Sequence, residues 1–157
     1  MNSGSVTKRT PGTDNRVLYL CALLNKHRVS YLLAGGVAAN LHGSVRATKD
    51  IDLLVPKERK NMERLLNALS KLPYGMAKEF EVDELMEKPI TIIGDDPRVD
   101  IMTVAWKVTY EKAIQNRKVR KIFGVRVPFL GLKDLIHSKQ TGRFQDLADI
   151  KILKKQK

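Results

Sequence analysis

Two aspartates one residue apart, set inside an apolar run, constrain this chain more than any other feature of its 157 residues. The run reads Thr48-Lys49-Asp50-Ile51-Asp52-Leu53-Leu54-Val55. In a strand, alternate side chains share a face, so Ile51, Leu53 and Val55 enter a core while Asp50 and Asp52 point together out of it. Two carboxylates held this close repel, and each raises the other's pKa until a cation neutralises them. A divalent ion does so, and oxygen donors select Mg²⁺ or Mn²⁺ over softer metals. A lone Asp-x-Asp is also common as a pair of surface acids, so its weight depends on its neighbours.

Those neighbours favour chemistry. Upstream lies Leu33-Ala34-Gly35-Gly36-Val37-Ala38-Ala39, a strand end, two glycines and a helix start. Glycine lets backbone approach a ligand closely, and a helix N-terminus offers free N–H groups to phosphate. An isolated Gly-Gly is more often an ordinary turn; followed by an aspartate pair it is a more specific combination. Downstream, Arg98-Val99-Asp100-Ile101-Met102 puts a third carboxylate, Asp100, inside an apolar strand, where a charge is costly unless paired or metal-bound. If that strand neighbours 49–55, the three acids converge. Asp95-Asp96-Pro97 has the composition of a turn and is assigned no chemistry.

The remaining elements follow from periodicity. Val17, Leu20, Cys21 and Leu24 predict a helix over 14–28, and Met62, Leu65, Leu66 and Leu69 a second over 57–72. Strands are expected at 30–34, 49–55, 89–93 and 98–104, with a further hairpin at 119–122 and 125–129. Helices are expected at 37–42, 110–116, 132–140 and 144–154. The acidic stretch 76–88 has no assignable period. The sum is an α/β (α+β) chain, a mixed sheet flanked by helices, with residues 1–13 as a disordered tail, 14–106 as the core and 107–157 as a basic hairpin and helical C-terminal part of the same domain. On a helical wheel Lys139 falls inside an apolar arc between Leu135 and Ile136, and Asp146 between Ile150 and Leu153. Buried charges need partners. Either these two pair, or Lys139 faces a triphosphate.

Charge is uneven. Residues 105–157 hold 14 Lys/Arg against 4 Asp/Glu, whereas the rest holds 15 against 13, within a net charge of +12. Such a module suits a polyanion, RNA or an NTP, or is simply a solvated face. The lone Cys21 excludes an intrachain disulfide framework and reads as a core residue in a reducing, cytoplasmic setting. No apolar stretch reaches the roughly 18 residues of a membrane span, and no membrane partner is expected.

The run from Gly35 to Asp52, Gly35-Gly36-Val37-Ala38-Ala39-Asn40-Leu41-His42-Gly43-Ser44-Val45-Arg46-Ala47-Thr48-Lys49-Asp50-Ile51-Asp52, resembles the signature of the polymerase-beta-type nucleotidyltransferase superfamily. Its Gly-Gly form, with His-Gly and Arg-x-Thr before Asp-x-Asp, is similar to the AbiEii-type branch, which includes toxins of toxin–antitoxin systems. The segment 132–150, in which Lys139 is followed by Arg143, Asp146 and Asp149-Ile150, is similar to that branch's second motif. The resemblance spans about residues 15–153. It implies two Mg²⁺ ions, attack on the NTP α-phosphate and release of pyrophosphate. Asp50, Asp52 and Asp100 would be the metal-binding and catalytic carboxylates, Asp100 deprotonating or orienting the acceptor hydroxyl. Gly35, Gly36, Arg46, Lys49 and Lys139 would meet the nucleotide phosphates, supported by Asp146. Gly36 stands where the superfamily pattern has serine, so backbone N–H groups replace a hydroxyl. His42 is read as a structural hydrogen-bonder, and Trp106 and Tyr110 as core.

The expected activity is transfer of NMP from an NTP to an acceptor hydroxyl on RNA, above all tRNA, or on a protein, as a toxin with a cognate antitoxin, by a monomer or homodimer. The alternatives are transfer to a small molecule such as an antibiotic, and a catalytically silent module that binds RNA or a partner.

Overall fold

The computed structural model describes residues 15–44, 47–141 and 143–155, the side chains of Phe144 and Gln145 apart. The expected tail 1–13 and the phosphate ligand Arg46 lie outside the described residues. The described residues open with helix α1 (Asn15–Lys26), whose Val17, Leu20, Cys21 and Leu24 are buried as their spacing predicts. Burial pushes the Cys21 thiol up to about 11, so it is an inert core group.

Strand β1 is only Leu32–Leu33, shorter than expected. The reason is upstream, where the Asn61 side chain accepts from the Ser30 N–H at 2.7 Å and donates to the Ser30 carbonyl at 3.0 Å, taking the groups a longer strand would use. Helix α2 (Gly35–Leu41) follows at once, then β2 (Asp50–Leu54) and helix α3 (Arg59–Leu69). The unassigned stretch 76–88 folds as a short 3-10 turn (Met76–Glu79) and helix α4 (Val82–Glu87). That helix starts with reciprocal bonds between Glu81 and Glu84, a capping box built from two glutamates rather than the commoner Ser or Thr start.

Strands β3 (Ile90–Ile93) and β4 (Arg98–Met102) form the expected hairpin. Its turn is organised by Asp95, whose carboxylate accepts the N–H groups of Tyr74, Met76 and Asp96. Burial would push that carboxyl up, but these bonds hold it below the usual range. A two-stranded hairpin then appears, β5 (Val104–Ala105) and β6 (Val108–Thr109), turning through Trp106 and Lys107. A short helix α5 (Tyr110–Ala113) runs into a 3-10 turn, followed by β7 (Lys118–Ile122) and β8 (Val125–Phe129). Helices α6 (Leu132–Ser138) and α7 (Phe144–Lys154) end the described chain.

Among the described residues six strands make one mixed sheet in the order β3-β4-β2-β1-β8-β7. The short β1 is central, antiparallel to β2 and parallel to β8. Strand β2 runs parallel to β4 with Asp52 opposite Asp100. Leu20, Leu24, Leu33, Leu53, Leu65 and Leu130 are fully buried in a single core. The expected fold class holds.

Candidate active site

Strand β2 alternates as its sequence demands. Ile51 and Leu53 are buried while Asp50 and Asp52 are partly open. Because β2 and β4 are parallel and in register, Asp50 stands opposite Arg98 and Asp52 opposite Asp100, all on one face of the sheet. The two aspartates of the pair and the third carboxylate therefore come together. Arg98, which the sequence reading assigned no role, is threaded among them. Its guanidinium donates to both oxygens of Asp100 at 2.9 and 3.2 Å and lies 3.8 Å from Asp50.

Asp52 is the strained acid of this set. Burial, then the neighbouring Asp100 charge, push its pKa up to about 6, with Asp50 adding to the rise while Lys139 and Arg98 oppose it. A buried carboxylate facing two others is the electrostatic situation that a divalent cation relieves, and oxygen donors suit Mg²⁺ or Mn²⁺. The donor set fits such an ion, although among the described residues no three acidic, histidine or cysteine side chains already close on one point.

Gly35 sits directly against Asp52. Its φ of +57° is one that side chains other than glycine's rarely adopt, and a Cβ there would lie 1.8 Å from Asp52 Oδ2. The first glycine of the pair is thus fixed twice, by backbone shape and by space. Ala34 N–H donates to the Asp52 carbonyl at 2.9 Å, tying the turn to the strand.

The C-terminal charges are buried as the helical wheel suggests, with a different partner for the lysine. Lys139 Nζ donates to Asp149 at 2.8 Å and lies 3.8 Å from Asp146. Asp146 is held chiefly by Arg143, at 2.7 and 2.8 Å, and by the Thr141 hydroxyl. Asp149 was visible only as part of the Asp-Ile pair in the second motif and had been given no role.

One cleft of about 460 Å³ unites these groups. Gly35, Gly36 and Asp52 line one side, and Lys139, Thr141, Arg143 and Asp146 line another. The two sequence signatures, about a hundred residues apart, face each other. Asp50, Asp100 and Lys49 are not among the described residues lining it. Asp50 stands on the open side at 42% side-chain exposure, and Lys49 is exposed.

His42 has the structural role expected of it. Its Nε2–H donates to the Leu130 carbonyl at 2.8 Å and its ring meets Phe129 edge-on. Burial lowers its pKa, keeping it neutral. Trp106 overturns the expectation of a core residue. It is 53% exposed, lines the cleft, and holds φ at +58°. Tyr110 is half-buried and packs on the core.

A mixed sheet with a glycine turn against Asp52 of an aspartate pair fits a nucleotidyltransferase, and the chain is an enzyme of that class. It belongs to the aminoglycoside-2''-adenylyltransferase family, whose model matches residues 16–153. That match bears out the superfamily; the AbiEii-type branch is no part of it. Two solved structures share the fold. One is lincosamide antibiotic adenylyltransferase LnuA, lincomycin-bound, 13% identical with a TM-score of 0.62, covering 92% of this chain and 98% of that one. The other is an antigenic nucleotidyltransferase-like protein from Paracoccidioides brasiliensis, 20% identical with a TM-score of 0.55, covering 87% of this chain and 72% of that one. No curated protein matches the chain. No helix among the described residues is long and apolar enough to cross a membrane.

Proposed function

We propose that this protein transfers an NMP group, AMP from ATP in the first instance, to a hydroxyl of a small-molecule acceptor of the antibiotic type. The observation that carries the reading is the single cleft in which Gly35, Gly36 and Asp52 face Lys139 and Arg143. Its volume lies in the range of small-ligand sites, about 300–1,000 Å³, which gives room for the nucleotide donor. The family match and the likeness in length and fold to an antibiotic adenylyltransferase support the acceptor class.

In this reading the backbone N–H groups at Gly35 and Gly36 cradle phosphate oxygens, and Lys139 supplies positive charge to them while Asp149 holds its ammonium in place. Lys49, exposed and outside the cleft, stays a peripheral phosphate contact at most. Asp50, Asp52 and Asp100 would hold divalent metal, two Mg²⁺ ions, which would supply positive charge to the attacking and leaving oxygens. The acceptor oxygen bonds to the α-phosphorus as the bond to the bridging oxygen breaks and pyrophosphate leaves. Asp100 orients the hydroxyl or takes its proton, which requires Arg98 to release the carboxylate it now clasps. Residues 14–106 carry the metal-binding acids and the Gly35-Gly36 turn, and 107–157 bring Lys139 and Arg143 to the other side of the cleft, as one domain.

A second reading, transfer to RNA or a protein hydroxyl as a toxin, draws support from the basic last third. Part of that charge has a simpler use. Lys118 and Lys121 sit exposed on the outer strand β7, where charge blocks edge-to-edge pairing.

The test incubates the protein, Mg²⁺ and each α-phosphate-labelled NTP with an aminoglycoside, lincomycin, total RNA or lysate protein, beside Asp52→Ala. Label on a small molecule with wild type alone is the expected result. Label on RNA or protein instead moves the assignment to the second reading. Binding of RNA with no labelling anywhere, indifferent to Mg²⁺ and NTP, overturns both and leaves a silent module.

A further inference from the structure

Trp106 has no structural occupation that accounts for it. It is the one tryptophan of the chain, it is 53% exposed, and it stands at the tip of the β5–β6 hairpin. A bulky residue at φ +58° is uncommon, since glycine is the usual occupant of such a position, and it strains the backbone. Strained backbone and an exposed aromatic both disfavour the folded state, and neither is offset by core packing. The ring lines the cleft beside Ile90 and Met102, which makes one wall apolar.

The cleft itself says which substrate meets that wall. Beside the carboxylates of Asp52 and Asp146, the described lining includes groups that suit a triphosphate, Gly35, Gly36, Lys139 and Arg143. Asp100, the carboxylate proposed to face the acceptor, lies outside it, toward the half-open side where Asp50 and Arg98 are exposed. The acceptor therefore approaches from that side, and the cleft is left to the nucleotide.

We propose that Trp106 is the nucleobase platform of this enzyme, its ring stacking on the base of an NTP whose phosphates lie between the Gly35-Gly36 turn and Lys139. This rests on the nucleotidyltransfer reading and adds where the base is held and how. Every base offers a π-face, so such a platform gives affinity with little base preference. Ile90 and Met102 would cover the base edge.

Because the chain has a single tryptophan, its emission reports on this position alone. The experiment titrates the full chain, in Mg²⁺, with a non-reactive α,β-methylene analogue of ATP, and in parallel with inorganic tripolyphosphate. Binding of each is followed independently by calorimetry. The expected result is saturable quenching by the analogue and none by tripolyphosphate. Trp106→Gly removes the ring and relaxes the backbone. It should weaken the analogue about ten-fold or more, leave tripolyphosphate affinity unchanged, and not lower Tm. Trp106→Phe should retain most of the affinity. An analogue that binds without moving the emission, or binds Trp106→Gly as well as wild type, overturns the platform and leaves nucleotidyl transfer standing. A lowered Tm in Trp106→Gly with unchanged analogue affinity makes the ring structural and equally overturns it. Failure of the analogue to bind at all in Mg²⁺ strikes the nucleotidyl-transfer reading and this one together.

Discussion

Ionising Asp52 opposes folding. Its pKa in the folded chain, about 6, stands above the ordinary 3.8, because burial and Asp100 disfavour the charged form. The folded state therefore holds that proton more tightly than the unfolded chain, and the penalty grows as pH rises from about 4 to about 6 and is complete above. In metal-free buffer near neutral pH, Asp52→Asn should have a higher Tm than wild type, and the gain should disappear below about pH 4. Adding Mg²⁺ should raise the Tm of wild type and not of Asp52→Asn, and EDTA should reverse the rise. Scanning calorimetry across pH with and without Mg²⁺ checks all three. Gly35 answers to a different constraint. Gly35→Ala places a methyl group on Asp52 Oδ2, so turnover in the labelling assay should fall at least a hundredfold while circular dichroism stays native. Lys139 is a third case. Removing it leaves Asp149 and Asp146 buried with less compensation, so Lys139→Met should destabilise by about 3–5 kcal/mol in urea titration, and its KM for NTP has meaning only at temperatures where it remains folded.

Strand β1 has two residues and joins the halves of the sheet, β2 on one side and β8 on the other. Leu33 pairs with both and is fully buried. Leu33→Ala should cost about 2–5 kcal/mol in equilibrium denaturation, with no change in the slope against denaturant. Elements with a clean period could be read in advance: α1, α3, β2 and the β3–β4 hairpin. What the sequence left dark had contacts rather than patterns behind it. The apolar run after Ser30 predicts a strand over 30–34, but the Ser30 backbone bonds to the Asn61 side chain. Helix α4 escaped because its start is a pair of glutamates. The β5–β6 hairpin escaped because a tryptophan occupies a turn position where glycine is the usual signal. The carboxylates of the site were legible because strand alternation and parallel register place residues at fixed offsets. Arg98 and Asp149 were not, because a cation's choice between two acids depends on distances that only the fold sets.

Taken whole, the molecule carries a net charge of +12, and charge alone predicts some affinity for RNA. Under the small-molecule reading this affinity is nonspecific. It should fall about a hundredfold when salt rises fourfold, as for roughly four phosphate contacts, and be indifferent to base sequence and to Asp52→Ala. Anisotropy of labelled oligonucleotides measures this, and an RNA bound with sequence preference at high salt would favour the second reading instead. The outer edge of the sheet has a further consequence. Ile92 stands opposite Asp100 and, like Ile90, is about half exposed. Exposed positions accept replacement at little cost to stability, within about 0.5 kcal/mol. If the acceptor lands beside Asp100, position 92 can drift in composition while the nucleotide cleft, pinned by Gly35 against Asp52, stays still. A lineage built on this plan could then exchange one acceptor for another by ordinary point substitution, without passing through an ancestor unable to use its nucleotide.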